Sequence, residues 1–352
     1  MGINRPKINF SSYSINPMII TRAPFRIPLG GGGTDLPFYA KTRGGSLITA
    51  AINRYVYVFI HRRLLDKLIW LSYSEQEKQS NVNAVKHELI REALNLTGVN
   101  SSVEIHSVSE ISDRSGVGGS STFLTALLQA LYTYKGSNVS KNKLAEDAIH
   151  IERVILKQNG GVQDQYVAAH GGFCSIENTS LTDVQIKNLP IKQDVIDKLS
   201  QNLMLFYTGV QRLSSSIIKT QTDEHTSNEI ISFYDRIKDI GLTAKHALLT
   251  GDTDTFGKTF HEHWMLKRNF TKKISNGSFD EIYEKAMQYG ALGGKIIGAG
   301  GGGFFLFYVP DNQARFCEKI KELGLTHLDF DFDFEGTTTL FNGDAYKSIN
   351  QV

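Results

Sequence analysis

Three glycine runs constrain this chain more than anything else in it. Gly30 to Gly33 form one and Gly298-Ala299-Gly300-Gly301-Gly302-Gly303 another. Between them, Ser115-Gly116-Val117-Gly118-Gly119-Ser120-Ser121-Thr122 leads directly into the apolar stretch Phe123-Leu124-Thr125-Ala126-Leu127-Leu128-Gln129-Ala130-Leu131. Glycine is costly to order, so three such clusters are hard to explain as turns; each predicts backbone that approaches something closely or adopts positive φ. The middle run has the outline of a phosphate cradle. The helix after it would present unpaired N–H groups and roughly half a positive charge at its start, so the expected guest is an anion. The hydroxyls of Ser120 and Ser121 are placed to cap the helix, touch a phosphate or sit on a magnesium ion. Glycine turns with serine caps also start many helices that bind nothing, and taken alone the loop leaves both readings open.

Bulk properties narrow the guest. The 352 residues suffice for about two domains, and 41% hydrophobic with 21% charged content is ordinary for a globular protein. Lys plus Arg (38) against Asp plus Glu (36) gives a formal charge of +2, which supplies no general field for nucleic acid or an anionic membrane. An anion must therefore be bound locally. Cys174 and Cys317 are too few for a disulfide framework and too far apart for a CxxC site, which predicts a reducing, cytoplasmic setting. Residues 1–17 are expected to be a polar lead-in without the apolar core of a signal peptide, and no apolar run of about 20 residues is present to cross a bilayer.

Patterning predicts strands at Met18-Ile-Ile-Thr, Gly45-Ser-Leu-Ile-Thr-Ala-Ala-Ile, Tyr55-Val-Tyr-Val-Phe-Ile60, Leu68-Ile-Trp-Leu and Ser102-Val-Glu-Ile-His-Ser-Val, with helical spacing from Asn83 to Leu96. Helices follow over about 120–135 and 141–157. After Gly171-Gly-Phe-Cys-Ser-Ile a new set begins: a strand at Leu203-Met-Leu-Phe-Tyr, a helical region from about 213 to 289, and strands near 303–309 and 326–341. The expected boundary lies near 180, giving domains 18–180 and 181–352. Strands and helices do not alternate in βαβ order, so the expected class is α+β. The same absence argues against an NAD-dependent oxidoreductase using the glycine loop.

Individual carboxylates sharpen the chemistry. The spacing 145, 149, 152, 156 sets Glu152 on a stripe with Ala145, Ile149 and Leu156, so it should hold a cation, either a metal or a neighbouring Lys or Arg. Asp164 follows Gly160-Gly-Val-Gln and is either the N-cap of a short helix or a functional group brought near Glu152 by the glycine pair. Asp35 closes the first glycine run in Gly33-Thr34-Asp35, as a turn residue or as an acceptor for adjacent sugar hydroxyls. Arg26 lies a few residues ahead of it. Two decoys are set aside. Gly251-Asp-Thr-Asp-Thr-Phe-Gly-Lys258-Thr259 has five intervening residues where a P-loop has four, and it follows a helical segment. His261 and His263 would point about 200° apart on a helix and could not chelate one ion.

Together, Arg22-Ala-Pro-Phe-Arg-Ile-Pro-Leu-Gly-Gly-Gly-Gly-Thr-Asp35, the serine-glycine loop, Gly161-Val-Gln-Asp-Gln165 and Gly294-Lys-Ile-Ile-Gly-Ala-Gly-Gly-Gly-Gly-Phe304 resemble the GHMP small-molecule kinases. The motifs stand in the family's order from about 20 to 310. The GGGGTD form and Phe206-Tyr-Thr-Gly-Val-Gln-Arg212 are most similar to the sugar-acting branch, heptose 7-phosphate kinases and fucokinases among them. The resemblance implies an N-terminal domain like the second domain of ribosomal protein S5, a ferredoxin-like C-terminal domain and an active site between them. It implies ATP and Mg2+ as cofactors, with the phosphates on Ser115, Gly116, Val117, Gly118, Gly119, Ser120 and Ser121. It further implies magnesium on Glu152 and one serine, and Asp164 and Arg26 as catalytic residues.

The usual GLGSSA reads Gly116-Val-Gly-Gly-Ser-Ser-Thr here. Alignment from the first glycine puts the metal serine at Ser120, the preferred position, and alignment on the serine pair puts it at Ser121. The implied partner is a small sugar phosphate whose anomeric C1 hydroxyl is phosphorylated, held by Gly33, Thr34, Asp35, Thr208, Arg212, Gly301 and Gly302. Candidates for its existing phosphate are Arg212, Lys267, Arg268, Lys272 and Lys273. The alternatives are a fucokinase-like sugar 1-kinase and a catalytically silent sugar and nucleotide sensor on the same fold.

Overall fold

A computed structural model describes residues 18–112, 115–211, 228–270, 277–298 and 300–343. The strands, in chain order, are β1 (Ile19–Gly30), β2 (Gly45–Arg62), β3 (Ile69–Ser72), β4 (Gln76–Gln79), β5 (Val103–Ser109), β6 (Phe173–Asn178), β7 (Val184–Asn188), β8 (Leu203–Tyr207), β9 (Gly293–Ile296), β10 (Phe304–Tyr308), β11 (Thr326–Leu328) and β12 (Thr338–Asn342). One sheet runs β12-β1-β2-β5-β3-β4, with β6 pairing β2 and β7; the other runs β11-β8-β10-β9. Among the described strands, only β3 and β5 pair in parallel, as the α+β reading expects.

The helices are α1 (Pro37–Arg43), α2 (Glu88–Thr97), α3 (Gly119–Tyr134), α4 (Lys141–Ile149), α5 (Gln163–His170), α6 (Gln193–Asn202), α7 (Asn228–Thr250), α8 (Thr253–Phe270), α9 (Gly277–Gln288) and α10 (Gln313–Glu322). The long helical region expected from about 213 thus divides into α7, α8 and α9, and residues 212–227 lie outside the described set. None of the described helices is long and apolar enough to cross a membrane.

Strand β1 serves two cores. Its register against β2 shifts between Pro24 and Phe25. Before the shift, Ile19 and Ala23 join the core beneath α2, α3 and α5. After it, Phe25, Ile27 and Leu29 join a second core that also takes Leu205, Leu306 and Tyr308 from the other sheet and Phe256 and Phe260 from α8. Irregular pairing of this kind re-aims side chains. Since neighbours on a strand face opposite ways, Arg26 points away from that second core, toward α5 and the loop ahead of α3.

Two elements differ from expectation. The helix expected over 141–157 is α-helical only to Ile149; His150–Ile155 is a π-turn, closed by Leu156 N donating to Ile151 O at 2.9 Å. The extra residue re-phases the turn that carries Glu152. The strand expected over 326–341 is two strands in different sheets: β11 pairs β8, and β12 pairs β1. A cut near 180 therefore does not separate the sheets, because β7 and β12 both hydrogen-bond into the first one.

Helix α7 seats on the first glycine run. A Cβ on Gly241 would lie 2.6 Å from the Gly31 nitrogen and 2.7 Å from its Cα. On an exposed helix, Gly→Ala gains about 1 kcal/mol from propensity. Here backbone blocks the methyl, and Gly241→Ala is expected to destabilise by about 1–3 kcal/mol. Denaturant unfolding of the two proteins measures the sign.

Candidate active site

The chain after β5 meets α3 through Ser115 to Gly118. Gly116 and Gly118 hold φ of 85° and 84°, a region open to glycine at little cost, and the second caps the helix. The amides of Gly119, Ser120 and Ser121 head α3, where helix geometry leaves N–H groups without internal acceptors. The third glycine run stands directly behind this loop. A Cβ on Gly303 would lie 2.2 Å from Ser115 O, and one on Gly298 would lie 2.7 Å from Gly116 O. The third run is thus a packing device that holds the second in place, whereas the first packs on α7 and β2.

Arg26 ties the loop to α5. Its Nε donates to Asp164 Oδ1 at 2.7 Å and its Nη1 to Gly116 O at 2.6 Å, while its backbone nitrogen donates to Val117 O at 3.3 Å. Asp164 remains partly open, its side chain 21% exposed against 6% for Arg26. Gly118 leaves room for it: a Cβ there would meet the Asp164 carboxyl carbon at 3.1 Å.

Glu152 is buried beside the loop. Ser121 Oγ donates to its carboxylate at 2.8–3.0 Å, and Gln165 Nε2 donates to the same group and to Ser121 Oγ at 3.1 Å. Arg153 stands 3.9 Å away. Burial pushes the Glu152 carboxyl above its ordinary range, opposed by Arg153, Gln165 and Ser121. A buried carboxylate with one distant basic partner and an adjoining hydroxyl suits a hard divalent cation, which takes oxygen ligands.

Asp35 is also buried. Its Oδ2 accepts from Val162 N at 2.9 Å and Gln163 N at 3.1 Å, contacts permitted because Gly161 has no side chain; a Cβ there would fall 1.9 Å from Oδ2. Its Oδ1 has only a 3.5 Å contact from Gln163 Nε2 and is the oxygen left for a ligand. Burial raises its carboxyl, and the negative charge of Asp164 raises it further.

These groups line one cleft of about 690 Å³, with Arg26, Gly33, Asp35, Ser115, Gly116, Gly118 to Ser121, Glu152 and Asp164 in its walls. Other residues expected at the site lie elsewhere. The Thr34 hydroxyl is buried in the turn, donating to Gly31 O at 2.8 Å and Ser46 O at 2.9 Å. The Val117 side chain packs in the second core. Thr208 donates to Gly303 O at 2.9 Å, and Gly301 and Gly302 lie buried; none of the three lines the cleft. Arg212, Lys272 and Lys273 lie outside the described residues. Of the serine pair, Ser121 is the one that meets Glu152, whereas Ser120 is exposed at the cleft wall. The aligned position preferred from the sequence is therefore the less engaged of the two.

Sequence reasoning missed Gln165, the donor that fixes Glu152 and Ser121 together, although it stands beside Asp164 in a quoted motif. His261 and His263 do not converge on an ion: His261 Nδ1 is 2.7 Å from the Tyr283 hydroxyl, and His263 turns inward to the cleft.

Comparison with known proteins places the chain in a family. The GHMP kinases N-terminal domain matches residues 82–172 and the GHMP kinases C-terminal domain matches 244–324. Among relatives, the D-glycero-alpha-D-manno-heptose 7-phosphate kinase of Campylobacter jejuni is 30% identical over 331 residues, covering 90% of this chain and 97% of that protein. The bifunctional fucokinase/GDP-fucose pyrophosphorylase of Arabidopsis thaliana is 24% identical over 88% of this chain and 31% of its own length. A crystal structure of a D-glycero-D-manno-heptose 1-phosphate kinase from Bacteroides thetaiotaomicron superposes with a TM-score of 0.76 at 25% identity, covering 92% of this chain and 99% of that one. The chain belongs to the GHMP kinase family. Its activity is that of an ATP-dependent sugar kinase.

The raised carboxyl of Glu152 sets a pH dependence. Its ionisation is disfavoured in the folded state, so the cost is absent while it stays protonated and grows as pH rises past the ordinary carboxylate range. In magnesium-free buffer, Glu152→Gln is expected to gain stability over the parent as pH rises above the ordinary carboxylate range, readable as a widening Tm difference. Ser121→Ala should raise the magnesium concentration needed for half-maximal turnover roughly tenfold, and Ser120→Ala should raise it less.

Proposed function

We propose that the protein transfers the γ-phosphoryl group of ATP to the anomeric C1 hydroxyl of D-glycero-D-manno-heptose 7-phosphate, giving the 1,7-bisphosphate for nucleotide-activated heptose supply to surface polysaccharide. One observation carries the transfer: the Arg26–Asp164 pair, at 2.7 Å, stands in the same cleft as the amide-lined loop and the buried carboxylate of Asp35. The heptose acceptor is supported by the Campylobacter jejuni relative. Fucose is the competing acceptor, through the Arabidopsis relative. Two free cysteines suit a reducing cytoplasm, the compartment that holds ATP.

The loop amides of Gly119, Ser120 and Ser121 would take the ATP phosphates at the start of α3, where dipole and donors point the same way. Ser121 and Glu152 would hold magnesium, which would supply positive charge against the charge that develops on the phosphates during transfer. Asp35 Oδ1 orients the sugar by accepting from its hydroxyls. Asp164 accepts a hydrogen bond from the acceptor hydroxyl and takes its proton late in transfer, since a loose phosphoryl transition state needs little base strength. Arg26, already bonded to Gly116 O and Asp164, keeps base and loop in fixed relation and offers positive charge to the moving phosphoryl group.

Coupled ATPase measurements over heptose 7-phosphate, fucose, mannose, galactose and mevalonate test the acceptor. The expected result is a preference for heptose 7-phosphate; turnover of a free hexose without turnover of the heptose phosphate would overturn that substrate. Sugar-dependent binding to another protein with no ATP consumption would favour the sensor. Asp164→Asn should lower kcat roughly 1,000-fold with ATP affinity largely kept, because the lost interaction belongs to the transition state. Near-normal turnover would remove Asp164 from the mechanism.

A further inference from the structure

Across the cleft from Glu152 lies a basic wall that the transfer chemistry above does not use. His263 and Lys267 stand one turn apart on α8 and share a face. Lys295 lies on β9, which packs against that helix. All three line the cleft near Pro28, Gly32 and Gly33. His263 and Lys295 are each 3% exposed. Both ring nitrogens of His263 are without a hydrogen-bond partner. Lys295 Nζ donates to Leu29 O at 3.0 Å and sits 4.3 Å from the centre of the Phe260 ring. Lys267 has no hydrogen bond or ion pair among the described residues.

Three basic groups crowded together, with no acid paired to them among the described residues, repel one another. Burial pushes Lys267 down to about 8. Burial lowers Lys295 well below the usual lysine range, and Lys267 lowers it further. His263 is lowered by burial and then by both lysines. Arg268, the next residue on α8, is different: it is already neutralised by Asp280 at 3.3 Å and Glu284 at 3.5 Å. An anion entering among His263, Lys267 and Lys295 would supply the missing charge and partners together.

We propose that His263, Lys267 and Lys295 form a second anion subsite, which receives the phosphate already carried by the acceptor sugar. This rests on the sugar-phosphate reading above and assigns the residues that would make it selective. The subsite is separate from the ATP loop but tethered to it. Lys295 precedes Gly298, which packs on Gly116, by three residues. Asp164 and the three basic groups line the same cleft, so one sugar phosphate could place its hydroxyl at Asp164 and its phosphate on this wall. Lys267 was among the residues expected from sequence to hold such a phosphate; His263 and Lys295 join it through burial that sequence does not display.

The test compares kcat/KM for heptose 7-phosphate with that for the same heptose lacking the phosphate. It uses the parent protein, Lys267→Met, Lys295→Met and, as a control on the exposed face of the same helix, Lys258→Gln. The preference for the phosphorylated sugar is expected to fall about 10- to 100-fold in each methionine variant, the range for a lost hydrogen bond to a charged group, and to hold in the control. A parent preference that both methionine variants retain would overturn the subsite and leave the substrate standing. Thermal unfolding with inorganic phosphate, on protein saturated with MgADP so that the ATP loop is filled, separates the two failures. If the parent shows no preference for the phosphorylated sugar, the substrate reading falls. The subsite then stands if phosphate raises the parent Tm and not that of Lys267→Met, and it is overturned if phosphate shifts neither or both.

Discussion

The site depends on backbone touching backbone. The carbonyls of Ser115 and Gly116 lie where any side chain on Gly303 or Gly298 would be, so the loop ahead of α3 is pressed from behind by a strand connection of the second sheet. Neither half could hold this shape alone. The loop needs positive φ at Gly116 and Gly118 to turn its amides outward, and the turn would be free to relax without the opposing run. Arg26 closes the arrangement from the other side through Gly116 O. Once these contacts are made, the relative places of Asp164, Ser121 and Asp35 follow from elements that are already rigid.

Around this frame the cleft keeps charge in poor solvent. Glu152 and Asp35 are both raised by burial, and His263 and Lys295 are both lowered by it. Each of the four would be more stable in water. Fixed, incompletely neutralised groups of this kind need little reorganisation when a charged substrate arrives, which is how a protein lowers a charge-transfer barrier. The cost falls on the stability of the empty protein, a common trade at functional sites. It divides by sign across the cleft, with carboxylates toward α5 and the π-turn and basic groups toward α8 and β9.

Much of this was legible in the sequence. The glycine runs stood out by residue type alone, whereas position left Glu152 and Asp164 each with a structural alternative, and the family resemblance singled them out together with Arg26. The α+β class followed from the order of strand and helix patterns. Other features were hidden for physical reasons. Whether Ser120 or Ser121 meets Glu152 depends on the phase of α3, and one inserted glycine leaves that phase ambiguous. The π-turn at His150–Ile155 has helical composition and no marker of its own. Thr34 and Thr208 look like ligands in a motif, yet their hydroxyls are satisfied by nearby carbonyls. The inward turn of His263 is set by how α8 packs on β9, which no local pattern records.

The pairing of β12 with β1 joins Ile19–Arg22 to Thr338–Asn342. Until residues 338–342 have left the ribosome, one edge of β1 has no strand beside it, and its amides and carbonyls offer themselves to any extended peptide nearby. The sheet that carries Arg26 is therefore completed late in synthesis, by a contact of very large sequence separation, and such contacts are slow to form. During that interval the nascent chain is exposed to edge-to-edge association. Strand β12 acts as the clasp of a structure whose candidate catalytic residues were all translated long before it.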